Sequence, residues 1–303
     1  MLFGPTALGK TAIAVELAER LDAEIVTADS MQVYSGLPIL TNQPTADQAA
    51  RVPHHLVGFV EPERDFSAAE YARLAHKAID DLQARGRRVV LEGGSGLYVR
   101  AALGGLQFGP APDPATRAAL ERRLDEEGVS ALAAELRRLD PRLAATTDLA
   151  NPRRVLRAME SLALHDDAGK AVRALGGELW APGSRYTHTL VALTADRDVL
   201  HRRIAERVDR MVADGALDEL RAVRSAGPLS RTLRQAIGVR ELSACLDGVI
   251  TLEGAVAQTR QRTRRLVRRQ LTWMRKLPDA ATIPVAGDSP GAVAARLAAM
   301  VST

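Results

Sequence analysis

The residues with the clearest chemical meaning lie at the start of the chain, in the stretch GPTALGKT. Its spacing, G-x-x-x-x-G-K-[ST], is that of a phosphate-binding loop. The two glycines let the backbone turn so that successive N–H groups converge on an anion, Lys10 adds a positive charge, and Thr11 offers a hydroxyl to Mg²⁺. The apolar-periodic helix that follows directs its positive end at the same anion. We therefore predict a phosphate site, rather than a glycine-rich turn without a ligand, formed by Gly4, Pro5, Thr6, Ala7, Leu8, Gly9, Lys10 and Thr11.

A carboxylate, Asp29, stands in the stretch TADSMQVYSGL, directly after a β-rich run. In a doubly wound fold this position faces the crevice next to the first loop. A carboxylate there is suited to binding Mg²⁺ or to accepting a proton, whereas the alternative is a helix cap before Met31. An ATPase or GTPase would normally carry an Asp after another hydrophobic strand, but the best such strand here, RVVLEGG, ends in Glu92 and two glycines.

Alternating strands and helices are needed to bring these residues together. The run AEIVTAD predicts a strand, the stretch after Ser67 predicts a helix with Ser67 as N-cap and Glu70 three residues later, and RRVVLEGG predicts another strand. Such repeats favour right-handed βαβ units, in which functional residues lie at the carboxyl ends of parallel strands. The predicted fold class is α/β, a P-loop NTPase-like parallel sheet flanked by helices.

The pattern changes after the first hundred residues, where a Pro-rich linker leads into a helix capped near Asp113 and then into continued helical periodicity. We predict three segments: a first part of the core over residues 1–111, an all-helical insertion over 112–181, and a second part of the core over 182–303. The last segment begins with a strand and a helix in YTHTLVALTADRDVLHRRIAERV, continues through basic helices and ends near a possible strand, TIPVAG.

The composition is that of an ordinary globular protein, with 303 residues, 46% hydrophobic and 26% charged. No apolar run approaches the roughly eighteen residues of a membrane span, and a phosphate loop occupies the place of a signal peptide. The single cysteine, Cys245, excludes an internal disulfide and a cysteine-cluster metal site. We expect a cytoplasmic protein with no membrane association, and a monomer as the default state.

A strongly basic run extends from Arg260 to Lys276, with eight cationic residues and no acidic one. Such a run is typical of a polyanion-binding face, although a solvated helix face is the simpler alternative. With only two Trp, four Tyr and four Phe, an aromatic stacking platform for RNA is not expected. Trp273 is better explained as a core residue, and the adjacent pair His54 and His55 as packed or hydrogen-bonded side chains than as metal ligands.

Seven blocks, taken in order along the chain, resemble those of the tRNA dimethylallyltransferases, also called tRNA isopentenyltransferases, which are P-loop proteins. They are GPTALGKT, DSMQVYSGL, VPHHL, GGSGLYVRA, NPRRVLRAME, QAIGVREL and RRQLTWMRK. They extend from Gly4 to Lys276, so that the resemblance covers nearly the whole chain.

The resemblance implies a reaction. The dimethylallyl group would pass from dimethylallyl diphosphate to N6 of adenosine-37, just 3′ of the anticodon, in tRNAs that read codons starting with U, and pyrophosphate would leave. The exocyclic amine of adenine is a poor nucleophile, so a base that takes its proton assists the attack. Asp29 would be that base, and Ser95, where the family usually has Thr, would orient the amine. Mg²⁺ bound through Thr11, and either Arg203 or Arg207, would stabilise the departing pyrophosphate.

The resemblance also implies an extended RNA contact. The helical insertion would hold one side of the anticodon stem-loop, and the arginines of the basic run would meet its phosphates. The implied tRNA-binding residues are Asp29, Ser30, Met31, Gln32, Ser95, Arg117, Arg153, Arg154, Arg157, Arg234, Gln235, Gly238, Arg268, Arg269, Gln270 and Arg275.

Three features depart from the family pattern. Only three residues precede the loop, where a longer first strand is expected. Leu8 replaces a small or polar residue and would either line the prenyl pocket or face solvent. The segment after Gly36 lacks the lysine expected near Gln43.

Two other functions share part of the pattern. A small-molecule kinase would use the same loop to bind ATP, with LHRRIAERV as its lid, but would not need the basic run or the insertion. An RNA-binding regulator would use the loop as a nucleotide switch, but would have no need of a base at Asp29.

Overall fold

The computed structural model of this chain describes residues 1–104, 113–164, 184–277, 280–285 and 287–301. By its internal contacts the chain divides into two compact units, Met1–Gly104 with Ser184–Thr303, and Gly105–Gly183. The boundaries predicted from sequence, at residues 112 and 181, both fall inside the second unit. No helix in the described part of the chain is both long and apolar enough to cross a membrane.

The first unit contains a parallel six-stranded sheet with the order β3-β2-β4-β1-β5-β6. Its strands are β1 (Leu2–Phe3), β2 (Ala23–Ala28), β3 (His54–His55), β4 (Arg88–Gly93), β5 (Val191–Thr194) and β6 (Ala281–Pro284). Every residue of β2 is buried, as expected for a central strand that has helices on both faces. The predicted fold class, an α/β parallel sheet with flanking helices, is confirmed.

The helices of the first unit pack around this sheet. In chain order they are α1 (Lys10–Leu21), α2 (Pro38–Thr41), α3 (Ala46–Arg51), α4 (Ala68–Ala84) and α5 (Gly96–Leu103), and, after the insertion, α9 (Arg197–Ala213), α10 (Ala216–Ala226), α11 (Arg231–Arg234), α12 (Val239–Leu246), α13 (Leu252–Met274) and α14 (Pro290–Val301). Helix α4 begins as predicted, because Ser67 and Glu70 form a reciprocal capping box. The basic run lies mostly on one long helix, α13, and its last two residues, Arg275 and Lys276, follow the end of that helix.

The first strand has only two residues, yet it occupies the centre of the sheet. Leu2 and Phe3 pair with Glu92 and Gly93 of β4 on one side and with β5 on the other. Both side chains are fully buried. The short strand therefore still places the phosphate loop at the carboxyl edge of the sheet.

The described residues of the second unit are helical. They form α6 (Pro114–Leu139), which is interrupted at Gly128, α7 (Pro141–Thr146) and α8 (Pro152–Leu164). Asp113 caps α6 by accepting a hydrogen bond from the Thr116 N–H, as the sequence predicted. The apolar faces of the three helices bury a separate small core that includes Leu132, Leu136 and Val155. The extent predicted for the helical insertion, residues 112–181, lies partly outside the described residues and stays a prediction.

Candidate active site

Strands β1, β2 and β4 terminate at the same level of the sheet, at its carboxyl edge. Gly93 pairs with Phe3 on one side and with Ala28 on the other. A Cβ atom at Gly93 would lie 2.3 Å from the Ala28 carbonyl oxygen, so only glycine permits this approach of the two strands. The phosphate loop, Asp29 and the Gly94–Ser95 turn each follow one of these strands and are therefore neighbours.

The loop has the backbone of an anion cradle. Ala7 and Gly9 adopt left-handed conformations, with φ of 69° and 74°, and α1 begins directly at Lys10. The Lys10 ammonium donates to the Pro5 carbonyl at 3.0 Å. Burial lowers the pKa of Lys10, and the carboxylates of Glu92 and Asp29 act in the opposite direction. A half-buried ammonium at the start of α1, in a loop with left-handed residues, is suited to a polyanionic ligand.

Leu8 is 2% exposed. Of the two alternatives predicted for this residue, a solvent-facing side chain is therefore wrong. A position lining the prenyl pocket stays a prediction.

Asp29 lies at the end of β2 with a half-buried side chain. Its Oδ1 atom accepts a hydrogen bond of 2.8 Å from the Met31 N–H. Residues 29–36 form turns and a bridge rather than a helix, so the helix-cap alternative is wrong. The turn fixes one carboxylate oxygen, while the other remains available to a substrate.

Ser95 stands at the N-cap position of α5, but its hydroxyl does not cap the helix. Behind it, Tyr98 packs on Tyr71 with ring centroids 4.5 Å apart, and the Tyr71 hydroxyl donates to the Thr27 carbonyl at 2.9 Å. This contact ties the start of α5 to the end of β2. The Ser95 hydroxyl is not used by the helix itself, and Ser95 and Asp29 follow two strands that pair side by side, which is consistent with a role of Ser95 in orienting a substrate.

The structure distinguishes between the two candidate arginines. The guanidinium of Arg207, in α9, donates to the Thr6 hydroxyl within the phosphate loop. Burial lowers the pKa of Arg207, and the charge of Asp29 opposes that shift. Arg203, one turn earlier, is half-buried like Arg207, but the hydrogen bond to the loop is made by Arg207. Arg207 is therefore the arginine that the fold brings to the loop.

Gln270, predicted as an RNA contact, is buried on the inner face of α13. Its side-chain carbonyl accepts from the Thr6 N–H and its amide donates to the Gly94 carbonyl, both at 2.9 Å. We correct the prediction accordingly, because both ends of this side chain are already occupied inside the protein. Trp273, one turn later, packs on the start of α5, where a Cβ atom at Gly96 would lie 2.2 Å from the indole ring.

The other predicted RNA contacts of the first unit differ in exposure. Arg234, Gln235, Arg268, Arg269 and Arg275 are exposed, whereas Ser30, Met31 and Ser95 are half-buried. Gln32 and Gly238 are buried, so a direct contact through either would depend on the backbone or on a rearrangement.

Two of these residues share a hydrogen-bond network with Glu241. The Gly238 N–H donates to the Glu241 carboxylate at 2.8 Å, and Arg262 pairs with the same carboxylate and donates to the Gln235 carbonyl. The RNA-binding role of these residues stays a prediction.

In the second unit, the predicted contacts Arg117, Arg153 and Arg154 are exposed, and Arg157 is half-buried. Arg117 and Arg157 both approach the buried carboxylate of Glu160, at 3.6 and 3.3 Å. Part of their charge therefore compensates Glu160, whereas Arg153 and Arg154 present theirs to solvent.

Sequence reasoning missed the role of Glu92. This residue is 2% exposed and accepts a 3.1 Å hydrogen bond from the Thr11 hydroxyl. Burial raises its pKa, with Lys10 and Thr11 acting in the opposite direction. The sequence signal for it is the position of Glu92 at the end of a hydrophobic strand, where ATPases and GTPases normally carry an Asp.

The segments around Gln43 and the histidine pair have local structural roles. The Gln43 amide donates to the Tyr34 carbonyl at 2.7 Å, so this residue supports the turn after Asp29. His55 forms a 2.6 Å contact with the buried carboxylate of Glu24, and the His54 ring meets the Val52 carbonyl at 2.8 Å. These bonds agree with the hydrogen-bonded interpretation of the two histidines.

A parallel sheet whose first loop has the backbone of an anion cradle, beside a carboxylate and an arginine bonded to that loop, defines a P-loop α/β protein. Residues 32–277 match the family model described as IPP transferase, and the chain therefore belongs to the IPP transferase family.

Individual relatives agree with this assignment. A tRNA dimethylallyltransferase of Bordetella petrii is 41% identical over 99% of this chain and 97% of its own length. One of Salinispora arenicola is 44% identical over 94% of this chain and 81% of its own length. The crystal structure of the full-length tRNA isopentenylpyrophosphate transferase from Bacillus halodurans aligns with a TM-score of 0.73 at 36% identity, covering 99% of this chain and 94% of that chain.

Proposed function

We propose that this chain transfers the dimethylallyl group of dimethylallyl diphosphate to N6 of the adenosine just 3′ of the anticodon in tRNA. The observation that carries the proposal is the convergence of Asp29, Ser95 and the phosphate loop at one edge of the sheet, in a chain of the IPP transferase family. Relatives that match over nearly the whole chain are tRNA dimethylallyltransferases.

The transfer forms one bond and breaks one. The N6 lone pair attacks the first carbon of the prenyl group, the bond from that carbon to the diphosphate oxygen breaks, and pyrophosphate leaves with the bonding electrons. The proton lost from N6 passes to the Asp29 carboxylate. Since Met31 already holds one oxygen of that carboxylate, the base is oriented before the substrate arrives. The Ser95 hydroxyl would accept a hydrogen bond from the second N–H of the amine.

The negative charge that develops on pyrophosphate is met by the loop. Lys10 and Arg207 are both partly desolvated, which strengthens their attraction for the leaving group. Because Arg207 bonds Thr6, the arginine and the loop amides form one preorganised binding site.

Mg²⁺ fits this site, and Thr11 is the residue we expect to bind it. Its hydroxyl directs its only proton at Glu92, so the oxygen lone pairs remain available to a cation. When bound, the ion would neutralise part of the charge on the diphosphate.

The RNA would lie across exposed arginines on the outer face of α13, with Arg268 and Arg269 next to the buried Gln270. A target in a single-stranded loop is extruded at lower cost than one in a duplex. The exposed Arg153 and Arg154 of the second unit would contribute further phosphate contacts.

The test is incubation of the protein with dimethylallyl diphosphate, Mg²⁺ and an unmodified anticodon stem-loop that has adenosine 3′ of the anticodon, read by mass analysis of the digested nucleosides. We expect one adenosine to exchange a hydrogen for a dimethylallyl group. The same stem-loop with guanosine at that position is the control and should remain unmodified. Folded protein that modifies neither RNA would refute the proposal.

A parallel reaction with labelled ATP and small-molecule acceptors tests the kinase alternative. Phosphate transfer without prenyl transfer would establish that alternative instead.

We also propose that the protein acts as a cytoplasmic monomer. Light scattering of the purified chain, and fractionation of cells that express it, measure these two properties.

A further inference from the structure

We infer that Glu92 completes a divalent-cation site with Thr11, so that the cation is held by the first helix and by the end of β4 together. The inference rests on the proposed function in one respect, namely that the cation would bind together with the diphosphate of the prenyl donor. The site is not evident in the sequence, where Glu92 stands eighty-one residues after Thr11.

The first observation is the contact itself. The Thr11 hydroxyl donates to Glu92 Oε1 at 3.1 Å, and the Glu92 side chain is almost fully buried. A hydroxyl has one proton and two lone pairs. Since the proton is directed to Glu92, the lone pairs of Thr11 are free to bind a cation, and the second oxygen of Glu92 is also available.

A second, independent observation is the hydroxyl of Thr27. Thr27 pairs with Glu92 in the parallel register between β2 and β4, so the two side chains lie on the same face of the sheet. Thr27 is 1% exposed, and its Oγ1 atom is buried without a hydrogen-bond partner. A buried hydroxyl with no partner, beside a buried carboxylate, indicates a polar ligand such as a cation with its bound water.

The burial of Glu92 also favours a cation beside it. A buried carboxylate is costly unless it is paired with a positive charge. Lys10 donates to the Pro5 carbonyl and is shared between Glu92 and Asp29, while Arg207 bonds Thr6 and is influenced by Asp29. A divalent ion at the second oxygen of Glu92 would place positive charge directly on this carboxylate.

The donor set suits Mg²⁺. This ion prefers oxygen ligands and is usually held by one or two carboxylates together with substrate phosphates and water. Thr11 and Glu92 supply a hydroxyl and a carboxylate, while the phosphate loop supplies the place for a diphosphate. Glu92 is then a positioning residue for Thr11 as well as a ligand or water-holding group for the cation.

The experiment compares wild type with Glu92→Gln, which keeps the size of the side chain and its hydrogen bond to Thr11 but removes the charge. Binding of Mn²⁺ is followed by electron paramagnetic resonance in the presence of inorganic pyrophosphate. We expect the Kd for Mn²⁺ to rise about tenfold or more, the usual effect of losing a residue that supports a metal ligand. An unchanged Kd would overturn the inference.

The matched control is Glu24→Gln, which removes another buried carboxylate from the neighbouring strand β2, at the opposite end of the sheet. It should leave Mn²⁺ binding unchanged. Thermal melting reports the folding of each variant. Should Glu92→Gln fail to fold, Glu92→Asp keeps the charge on a shorter side chain and is expected to weaken Mn²⁺ binding measurably, and equal binding would refute the inference.

The outcomes separate this inference from the proposed function. Wild type that binds Mn²⁺ with pyrophosphate but does not prenylate the stem-loop would refute the proposed function and leave the cation site standing. Wild type that prenylates the stem-loop while Glu92→Gln binds Mn²⁺ equally well would refute only the cation site.

Discussion

The main-chain N–H of Thr6 and the side-chain carbonyl of Gln270 are joined by a 2.9 Å hydrogen bond, although 264 positions separate them in the chain. The amide of the same glutamine donates to the Gly94 carbonyl at 2.9 Å. One buried side chain of the basic helix α13 therefore ties the phosphate loop to the turn that precedes Ser95. The exposed neighbour Arg269 lies on the same helix.

Gln270→Ala should weaken pyrophosphate binding. The substitution leaves the Thr6 N–H and the Gly94 carbonyl without their partner, and an unsatisfied buried group costs about 1–3 kcal/mol, part of which would appear as a roughly tenfold higher Kd. Calorimetric titration with pyrophosphate and filter binding with the stem-loop measure the two affinities. The contrast is Arg269→Ala, which should weaken RNA binding and reduce its salt dependence by about one phosphate contact. If Gln270→Ala lost RNA binding but kept pyrophosphate binding, Gln270 would be an RNA contact, as predicted from the sequence.

Asp29→Asn should slow prenyl transfer about a hundredfold or more, because the amide cannot accept the proton from the adenine amine. Asparagine retains an Oδ1 acceptor for the Met31 N–H, so the turn after β2 should persist. Single-turnover kinetics with the stem-loop measure the rate of the chemical step. Pyrophosphate affinity, which should not weaken, serves as the control for the site. A rate within threefold of wild type would exclude Asp29 as the base.

Arg207→Gln should raise the Kd for pyrophosphate by about tenfold, which is the lower end of the effect of losing a charge-assisted hydrogen bond. Arg203→Gln, one turn earlier on α9, is the matched comparison and should have the smaller effect, since the structure brings Arg207 to Thr6. Both Kd values can be obtained by calorimetry. The opposite order of the two effects would transfer the pyrophosphate role to Arg203.

Gly96→Ala should disturb the packing of α13 on α5, because the new methyl group would lie 2.2 Å from the Trp273 ring. Overpacking of this kind costs about 1–3 kcal/mol. Denaturant unfolding gives the loss of stability, and the transfer assay shows whether Ser95 is displaced. Gly254→Ala, at the other end of α13, meets its nearest atom at an ordinary distance of 3.4 Å and should be tolerated. Equal stability of both variants would show that Trp273 moves freely.

His76 in α4 should make the folded state sensitive to mild acid. Burial lowers its pKa from the ordinary value of 6.5, so the unfolded chain takes up the proton first as the pH falls. Stability contributed by the neutral ring is therefore present above pH 6.5 and is lost below it, by at most about 1.4 kcal/mol per pH unit. Unfolding curves at pH 7.5 and 5.5 for wild type and His76→Gln measure this loss. His188 is exposed, and His188→Gln is the control, which should lose as much stability in acid as wild type. If His76→Gln also loses as much stability in acid as wild type, His76 is not the sensitive group.

Much of the fold could be predicted from local patterns. The capping box at Ser67 and Glu70, the cap at Asp113 and the apolar strands all act over a few residues, and the structure confirms each of them. The phosphate site predicted from the loop spacing stays a prediction. The partners of Glu92 and Gln270 could not be predicted in this way. Their contacts depend on which strands are neighbours and on which face of a helix turns inward.

The sequence by itself determined the chemistry that is present: an anion-binding loop, a carboxylate after the second strand, a hydroxyl after the paired glycines and a basic helix. Only the tertiary structure decided which groups meet, selecting Arg207 as the arginine on the loop, turning Gln270 inward between Thr6 and Gly94, and placing Glu92 against Thr11. The reason is physical. Residue type and spacing fix local conformation, whereas a contact between residues far apart in sequence depends on the order of strands in the sheet and on the packing of helices against it.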